Sequence, residues 1–274
     1  MRRERRIWIA LSVSLSVVLG VGTRVEAQSL TWLGTLGGSW SYASGVSADG
    51  AVVVGWAYNA SGLFRAFRWT VAGGMQDLGT LPGGYDSVAS GVSADGAVVV
   101  GEARNASGRW RAFRWTAAGG MQDLGTLGGG SSVASGVSAD GAVVVGWATN
   151  ASGYDRAFRW TPSGGMEDLN STYAPLLTNG SVLYSASAIS PDGRYIVGGG
   201  INAATRRREA FLLDTWRTGD TNGDGCIDDS DLLAVLFAFG TPGTGYTRRE
   251  DINKDGIVDD ADLSIVLFNF GSGC

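Results

Sequence analysis

A repeat of about 45 residues runs through the middle of this chain, and it limits the fold more than any other feature. The segment Ser-Gly-Val-Ser-Ala-Asp-Gly-Ala-Val-Val-Val-Gly begins at Ser44, Ser90 and Ser135. A diverged copy, Ser-Ala-Ile-Ser-Pro-Asp-Gly-Arg-Tyr-Ile-Val-Gly, begins at Ser187, so the Ser before the Asp-Gly turn recurs with periods of 46, 45 and 52. Ala-Phe-Arg-Trp-Thr keeps the same phase from Ala66, Ala112 and Ala157 and decays to Ala-Phe-Leu-Leu-Asp at Ala210. Repetition at this length means stacked supersecondary units that bury their apolar faces on one another.

Each unit reads as four short strands. Strand one is the Ala-Ser-Gly-Val-Ser segment, closed by the Asp-Gly turn. Strand two, Ala51 to Ala57 in the first unit, is apolar and β-branched throughout, as in a sheet buried on both faces. Asn-Ala-Ser-Gly turns the chain, strand three alternates around Phe67 and Trp69, and strand four runs Met75 to Leu81. Nothing in this region has a helical period. Four strands per unit is the size of a β-propeller blade. Leu30-Thr-Trp-Leu-Gly-Thr-Leu36 matches strand four, whereas the fourth repeat ends near Asp214, after its strand three. The N-terminal strand is therefore expected to complete the last blade, giving four blades and sixteen strands with no open edge. An open β array, or a ring completed by a second chain, is the alternative.

The repeated polar residues read as structure. Asp77, Asp123 and Asp168 recur at one strand end, Asp49, Asp95, Asp140 and Asp192 at one turn, and Arg68, Arg114 and Arg159 on one strand. Asn59, Asn105 and Asn150 stand in glycosylation sequons, but they also sit where a tight turn wants Asn and Gly. Recognition is sought where repeats differ. Those positions give a candidate ligand rim of Phe64, Glu102, Trp110 and Tyr154, suited to a sugar ring or a peptide.

The chain contains no histidine, which removes His general bases, Ser-His-Asp triads and His-ligated zinc. No catalytic residue is assigned. Residues 28–217 carry 13 basic and 13 acidic groups, whereas residues 218–274 carry 3 and 11, a net of −8. No basic nucleic-acid footprint is present. Met-Arg-Arg-Glu-Arg-Arg, an apolar run from Ile7 to Gly22 and a small-residue site ending at Ala27 read as a secretory leader, with an uncleaved anchor as the alternative. Residues 1–27 are accordingly expected to be removed, and the product to be extracellular or attached to a cell surface.

The acidic tail repeats one twelve-residue loop. Counting from Asp220, side-chain oxygens fall at Asp220, Asn222, Asp224, Asp228 and Asp231, with Gly225 at position 6. Counting from Asp251, they fall at Asp251, Asn253, Asp255, Asp259 and Asp262, with Gly256 at position 6. This spacing wraps hard oxygen donors around one calcium ion per loop, with a solvated acidic tail as the alternative. Two ions would offset half of the tail's charge. The only cysteines, Cys226 and Cys274, read as a disulfide in an oxidising compartment, with two free thiols as the alternative.

Two resemblances follow. The repeats, over about 33–214, resemble the HAF family of extracellular repeats through Leu-Gly-Thr-Leu, Ser-Gly-Val-Ser-Ala-Asp-Gly and Ala-Phe-Arg-Trp-Thr, which implies an exported, propeller-like protein without a known catalytic residue. The tail resembles a type I dockerin: each loop is followed by an apolar stripe (Leu232, Leu233, Val235, Leu236, Phe239; then Leu263, Val266, Leu267, Phe270), no entering helix precedes it, and position 12 is Asp. The expected order is a leader over 1–27, an all-β repeat domain over 28–216 (a small four-bladed propeller), and a small helical calcium-loop domain over 217–274. The resemblance implies two calcium ions, with the backbone carbonyls of Cys226 and Ile257 as further donors and Asp228 and Asp259 acting through water, and a cohesin-like or cell-surface partner, although Asp229-Ser230 and Asp260-Ala261 depart from the Ser/Thr pairs that meet a cohesin. Carbohydrate is the candidate ligand of the repeats. A secreted glycan hydrolase or lyase carrying such a module is the rival reading, and it requires a pair of carboxylates across a cleft.

Overall fold

Fifteen strands in a computed structural model form four antiparallel sheets in chain order, followed by two helices. The structure describes residues 28–243 and 249–274, so the leader expected over 1–27 lies outside the described residues. The first sheet holds β1 (Gly37–Val46), β2 (Val52–Asn59), β3 (Phe64–Thr70) and β4 (Gly74–Asp77). The second holds β5 (Ser87–Val92), β6 (Val98–Arg104), β7 (Trp110–Thr116) and β8 (Gly120–Asp123). The third holds β9 (Gly128–Val137), β10 (Val144–Asn150), β11 (Asp155–Thr161) and β12 (Gly165–Asp168). The fourth has three strands only, β13 (Val182–Ile189), β14 (Tyr195–Asn202) and β15 (Arg207–Asp214).

Each turn is written locally, which is why the pattern recurs. In the first unit Ser47 Oγ donates to Asp49 Oδ1 at 2.6 Å and accepts from Val52 N–H, while Ala51 N–H donates to Asp49 Oδ1. Gly50 closes the turn at φ +73°, a conformation that a residue with a Cβ resists. The second turn is an Asx turn: Asn59 Oδ1 accepts from the N–H groups of Ser61 and Leu63.

The apolar positions of strands two and three pack each sheet on the next. Val54 and Ala66 meet Ala89, Val99, Phe113 and Trp115 in one cluster. Val100 and Ala112 meet Ala134, Val144, Phe158 and Trp160 in a second, and Val145 and Ala157 meet Ala186, Ile196 and Leu213 in a third. Phe67, Phe113 and Phe158 are among the largest fully buried side chains. The glycine that ends each Val-Val-Val run lets strand one bulge close: a Cβ on Gly101 would lie 2.0 Å from the Val88 carbonyl oxygen.

Polar ties cross the same joints. The N–H groups of Ala48, Ala94 and Ala139 donate to the carbonyls of Ala94, Ala139 and Pro191. Arg68 and Arg114 donate through Nε to Gly96 and Gly141 carbonyls, whereas Arg159 pairs with Glu167 at 3.0 Å. Asp77, Asp123 and Asp168 cap the turn after strand four, accepting from Gly79, Gly125 and Asn170 N–H groups.

Three expectations need correction. The sheets do not close into a ring: each packs on its neighbours in sequence, and the first and fourth do not pack on one another. Residues 28–35 form no strand, so among the described residues the fourth sheet has three strands and the count is fifteen rather than sixteen; Leu36 makes an isolated parallel bridge to Asn59. Strand four ends at Asp77, because that side chain turns the backbone and sends Leu78 into the core. The longer last period is filled by α1 (Leu169–Thr172), capped by Asp168, and a 3-10 turn over Ala174–Leu176.

The tail carries α2 (Asp229–Ala238) and α3 (Asp260–Asn269). Sheets and tail belong to one compact unit, Leu33–Cys274. Among the described residues no helix is long and apolar enough to cross a membrane.

Candidate calcium loops and an aromatic groove

The two acidic loops share most of their hydrogen bonds. In the first, Asp231 is fully buried and draws the loop onto α2: its Oδ1 accepts from Thr221 N–H (2.7 Å), Thr221 Oγ1 (3.0 Å) and Asn222 N–H (3.2 Å), and its Oδ2 from Asp228 N–H (3.0 Å). In the second, Asp262 Oδ1 accepts from Ile252 and Asn253 N–H groups and Oδ2 from Asp259 N–H. Asp228 and Asp259 cap α2 and α3 through reciprocal capping boxes with Asp231 and Asp262, placing carboxylates at the positive helix ends. The first ligand position is also drawn inward. Asp220 accepts from Gly223 and Gly225 N–H groups, and Asp251 accepts from Gly256 N–H. Asn222 and Asn253 bridge to Asp224 and Asp255 at 2.9 Å.

The two halves lock together reciprocally. The segment after α2 pairs with the second loop (Gly240 N–H to Val258 O, Val258 N–H to Thr241 O), while the segment after α3 pairs with the first (Ile227 N–H to Ser272 O, Gly271 N–H to Ile227 O). Cys226 and Cys274 are bonded through their sulfurs at this second seam, with Cα atoms 4.7 Å apart. Ile227, Val235, Ala238, Val258 and Val266 form the small core between the halves.

These donors fit calcium. Asp251 Oδ1 is buried and has no hydrogen-bond partner, an orphaned acceptor aimed into an all-oxygen loop. Burial holds the Asp220 carboxyl above its usual range; the Gly223 and Gly225 N–H groups pull it down, and the Asp231 and Asp224 charges push it up again. A hard divalent cation relieves both costs. Among the described residues no three carboxylates or thiols converge as a ready-made metal cluster, which accords with loops in which the third position is Asn and further donors are carbonyls. Asp220, Asn222, Asp224, Asp231 and the Cys226 carbonyl would hold one ion, with Asp228 beside them. Asp251, Asn253, Asp255, Asp262 and the Ile257 carbonyl, with Asp259, would hold another.

Residues 218–267 match the model of the dockerin type I domain. Within this dockerin domain the apolar stripes divide. Val235 and Val266 are buried, whereas Leu236, Phe237 and Phe239 (47, 85 and 45% exposed) and their counterparts Leu267, Phe268 and Phe270 (54, 89 and 46%) face outward. The stripe that reads as core in the sequence is therefore half core and half surface. Solved structures similar to the chain include two described as TolB or putative TolB. A putative TolB from Agrobacterium tumefaciens is 16% identical with a TM-score of 0.42, over 64% of this chain and 58% of that one. TolB from Acinetobacter baumannii is 15% identical with a TM-score of 0.43, over 63% and 43%. The chain spans about half the length of these structures. No curated protein matches it.

The candidate rim is brought together in part. Phe64, Glu102 and Trp110 line one groove of about 280 Å³ with Trp56, Tyr58 and Val88. Phe64 and Trp110 stack at 6.0 Å, Trp56 packs edge-on to Tyr58 and Phe64, and Trp40 and Tyr42 extend the aromatic surface. Tyr154 is not part of it: that residue lies one repeat further on, 62% exposed, with Arg156 over its ring at 5.5 Å. Burial pushes the Glu102 carboxyl up, partly countered by the Arg104 charge. Glu102 is the one carboxylate lining the groove; Asp86 is paired with Arg104 at 3.7 Å, and Asp155 is outside the lining. The sequence missed Tyr58, although the first unit shows aromatics at 56, 58 and 64 where the second has Glu102, Arg104 and Trp110.

Proposed function

We propose that this chain is an exported, non-catalytic recognition scaffold that its dockerin domain attaches, in a calcium-dependent way, to a cohesin-bearing protein. The match over 218–267 carries this reading. The duplicated outward pairs Leu236–Phe237 and Leu267–Phe268 support it, because contiguous exposed apolar side chains of this size mark docking surfaces. Each loop binds one calcium ion, and metal fixes the α2 and α3 faces that the partner meets. The repeats, which resemble HAF repeats and form a propeller-like stack, display the ligand site. In that site an aromatic floor takes the apolar face of a sugar ring while Glu102 and Arg104 meet hydroxyl groups. A lone carboxylate in the groove does not provide the acid and nucleophile of glycoside cleavage. The decisive experiment is calorimetric titration of the protein with type I cohesins, with calcium and with excess chelator. Calcium-dependent binding that F237S weakens supports the proposal; absence of binding to every cohesin tested overturns it. Affinity electrophoresis on soluble polysaccharides tests the groove, with loss of retardation expected in Trp56→Ala.

A further inference from the structure

The two ends of the stack carry the two halves of one joint. Inside the stack that joint is built three times, from Val54 and Ala66 against Ala89, Val100 and Ala112 against Ala134, and Val145 and Ala157 against Ala186, all with 0% exposure. On the last sheet the matching residues are bare: Val197 is 40% exposed and Ala210 is exposed, beside Ile201 at 42% and Leu212 at 57%. On the first sheet the matching Ala43 is exposed, and Val46 is 59% exposed.

A strand is missing at one end and spare at the other. In the first three sheets a four-residue strand covers the outer edge of strand three, continuing in the bonds from Leu78 N–H to Ala66 O and Leu124 N–H to Ala112 O. In the fourth sheet β15 is the edge. An uncovered edge is a template for another strand. Leu30-Thr-Trp-Leu-Gly-Thr-Leu36 repeats Met75-Gln-Asp-Leu-Gly-Thr-Leu81 in phase, so residues 29–32 are the fourth strand of a sheet that would precede the first. They form no strand, and Leu30 and Trp32 are 79 and 87% exposed.

We propose that a second copy of this chain closes the array. The first sheet of each copy packs on the last sheet of the other, and residues 29–32 of each add to the β15 edge of the other. Two four-sheet arrays joined at both ends about a twofold axis make eight sheets, within the usual range of about 4–8 blades for closed propellers. The last repeat has Pro191 where the others have an Ala N–H donor, and Leu212 where they have Arg68, Arg114 and Arg159. The joint between copies thus lacks the Ala N–H tie of every inner joint and the Arg–carbonyl tie of the first two, whereas Arg159 pairs with Glu167 inside its own sheet, and it rests on apolar contact and strand pairing.

Sedimentation equilibrium of the full protein over a wide concentration range tests this. The expected result is the mass of two chains. L212D and W32P, both at exposed positions and each checked for an unchanged β-sheet circular dichroism spectrum, should each raise the dissociation constant at least ten-fold. An equimolar mixture should regain dimer, because the intact head of the first variant meets the intact tail of the second. F237S on the helical tail should leave the dimer unchanged. A single-chain mass at all concentrations, a dimer that survives in both L212D and W32P, or a dimer lost in F237S would each overturn the proposal.

Discussion

Removing the disulfide should weaken calcium binding, although neither sulfur is a calcium donor. The bond joins Cys226, whose carbonyl sits at position 7 of the first loop, to Cys274, the last residue of the seam that pairs with Ile227. The two cysteines are 48 residues apart. Closing a loop of that length removes chain entropy from the unfolded tail worth about 4 kcal/mol at 25 °C. Among the described residues the tail's core holds five buried apolar side chains, so staples and metal must supply what that core does not. If folding and binding are one step, that loss is roughly a thousand-fold in the product of the two calcium constants, or roughly thirty-fold for each ion. C226S/C274S keeps every backbone carbonyl and therefore the donor set. The helical ellipticity of α2 and α3, which stand against a β-rich background, is to be followed against free calcium for both proteins. A midpoint that moves to higher calcium by the stated amount supports the linkage. Midpoints that agree within about three-fold would refute it, and would mean that the tail is folded before metal arrives.

Other consequences concern the rest of the molecule. Excess chelator should make residues 218–274 sensitive to protease while the sheets of residues 37–214 stay protected, as seen by mass spectrometry of the fragments; equal protection of both regions would count against metal-coupled folding of the tail. Phe113→Ala should cost about 3–5 kcal/mol in urea unfolding, because it empties a fully buried site between the first two sheets, whereas Trp40→Ala at 56% exposure should cost less than about 0.5 kcal/mol. Acid should loosen the Asp-Gly turns. The Ser47, Ser93 and Ser138 hydroxyls, then the Ala51, Ala97 and Ala142 N–H groups, hold the Asp49, Asp95 and Asp140 carboxyls below their usual range. Their contribution is present above the unfolded carboxylate pKa and is lost as pH falls through the lower folded values. The D49N/D95N/D140N protein should therefore show a flatter fall in melting temperature below about pH 4; equal slopes would remove these turns as the cause.

How much of this is legible in the sequence depends on how local each instruction is. The turns are fully local: Ser47, Asp49 and Gly50 bond among themselves, as does Asn59 with Ser61 and Leu63, so strand phase follows from the repeat alone. The acidic loops are equally local, since spacing sets which side chains turn inward. The apolar stripes on the helices are not. Leu236 and Val235 are neighbours of equal character, and only the packing of α2 on α3 decides that one is buried and the other half exposed. Closure is the least local property. It depends on the rotation accumulated between sheets, and nothing in Leu30–Leu36 states which β15 edge, if any, that segment meets. Tyr154 illustrates the same limit: it stands at the place of Leu63 and Arg109, Asp155 holds the place of Phe64 and Trp110, and the groove forms between the first two units.

The dockerin domain does not merely trail behind the stack. Position 4 of each calcium loop faces the end of the last sheet. In the first loop it is Gly223 at φ +79°, where an added Cβ would lie 2.4 Å from the Trp216 ring. In the second it is Lys254 at φ +63°, with Nζ 4.0 Å from Asp214 and 5.5 Å from the centre of the Tyr195 ring. Asp214 is held by two bonds from Arg194 at 2.8 Å, and Arg194 and Arg249 lie over the Trp216 ring on which the first loop packs. Left-handed backbone at position 4 of both loops goes with the placing of Gly223 and Lys254 against this patch. If calcium fixes the loops as proposed, it also fixes the angle between α2, α3 and the last sheet. The proposed scaffold role, one groove held at a set orientation to the partner of the tail, requires that rigidity, and a flexible Gly/Ser linker in place of Trp216–Thr218 would remove it.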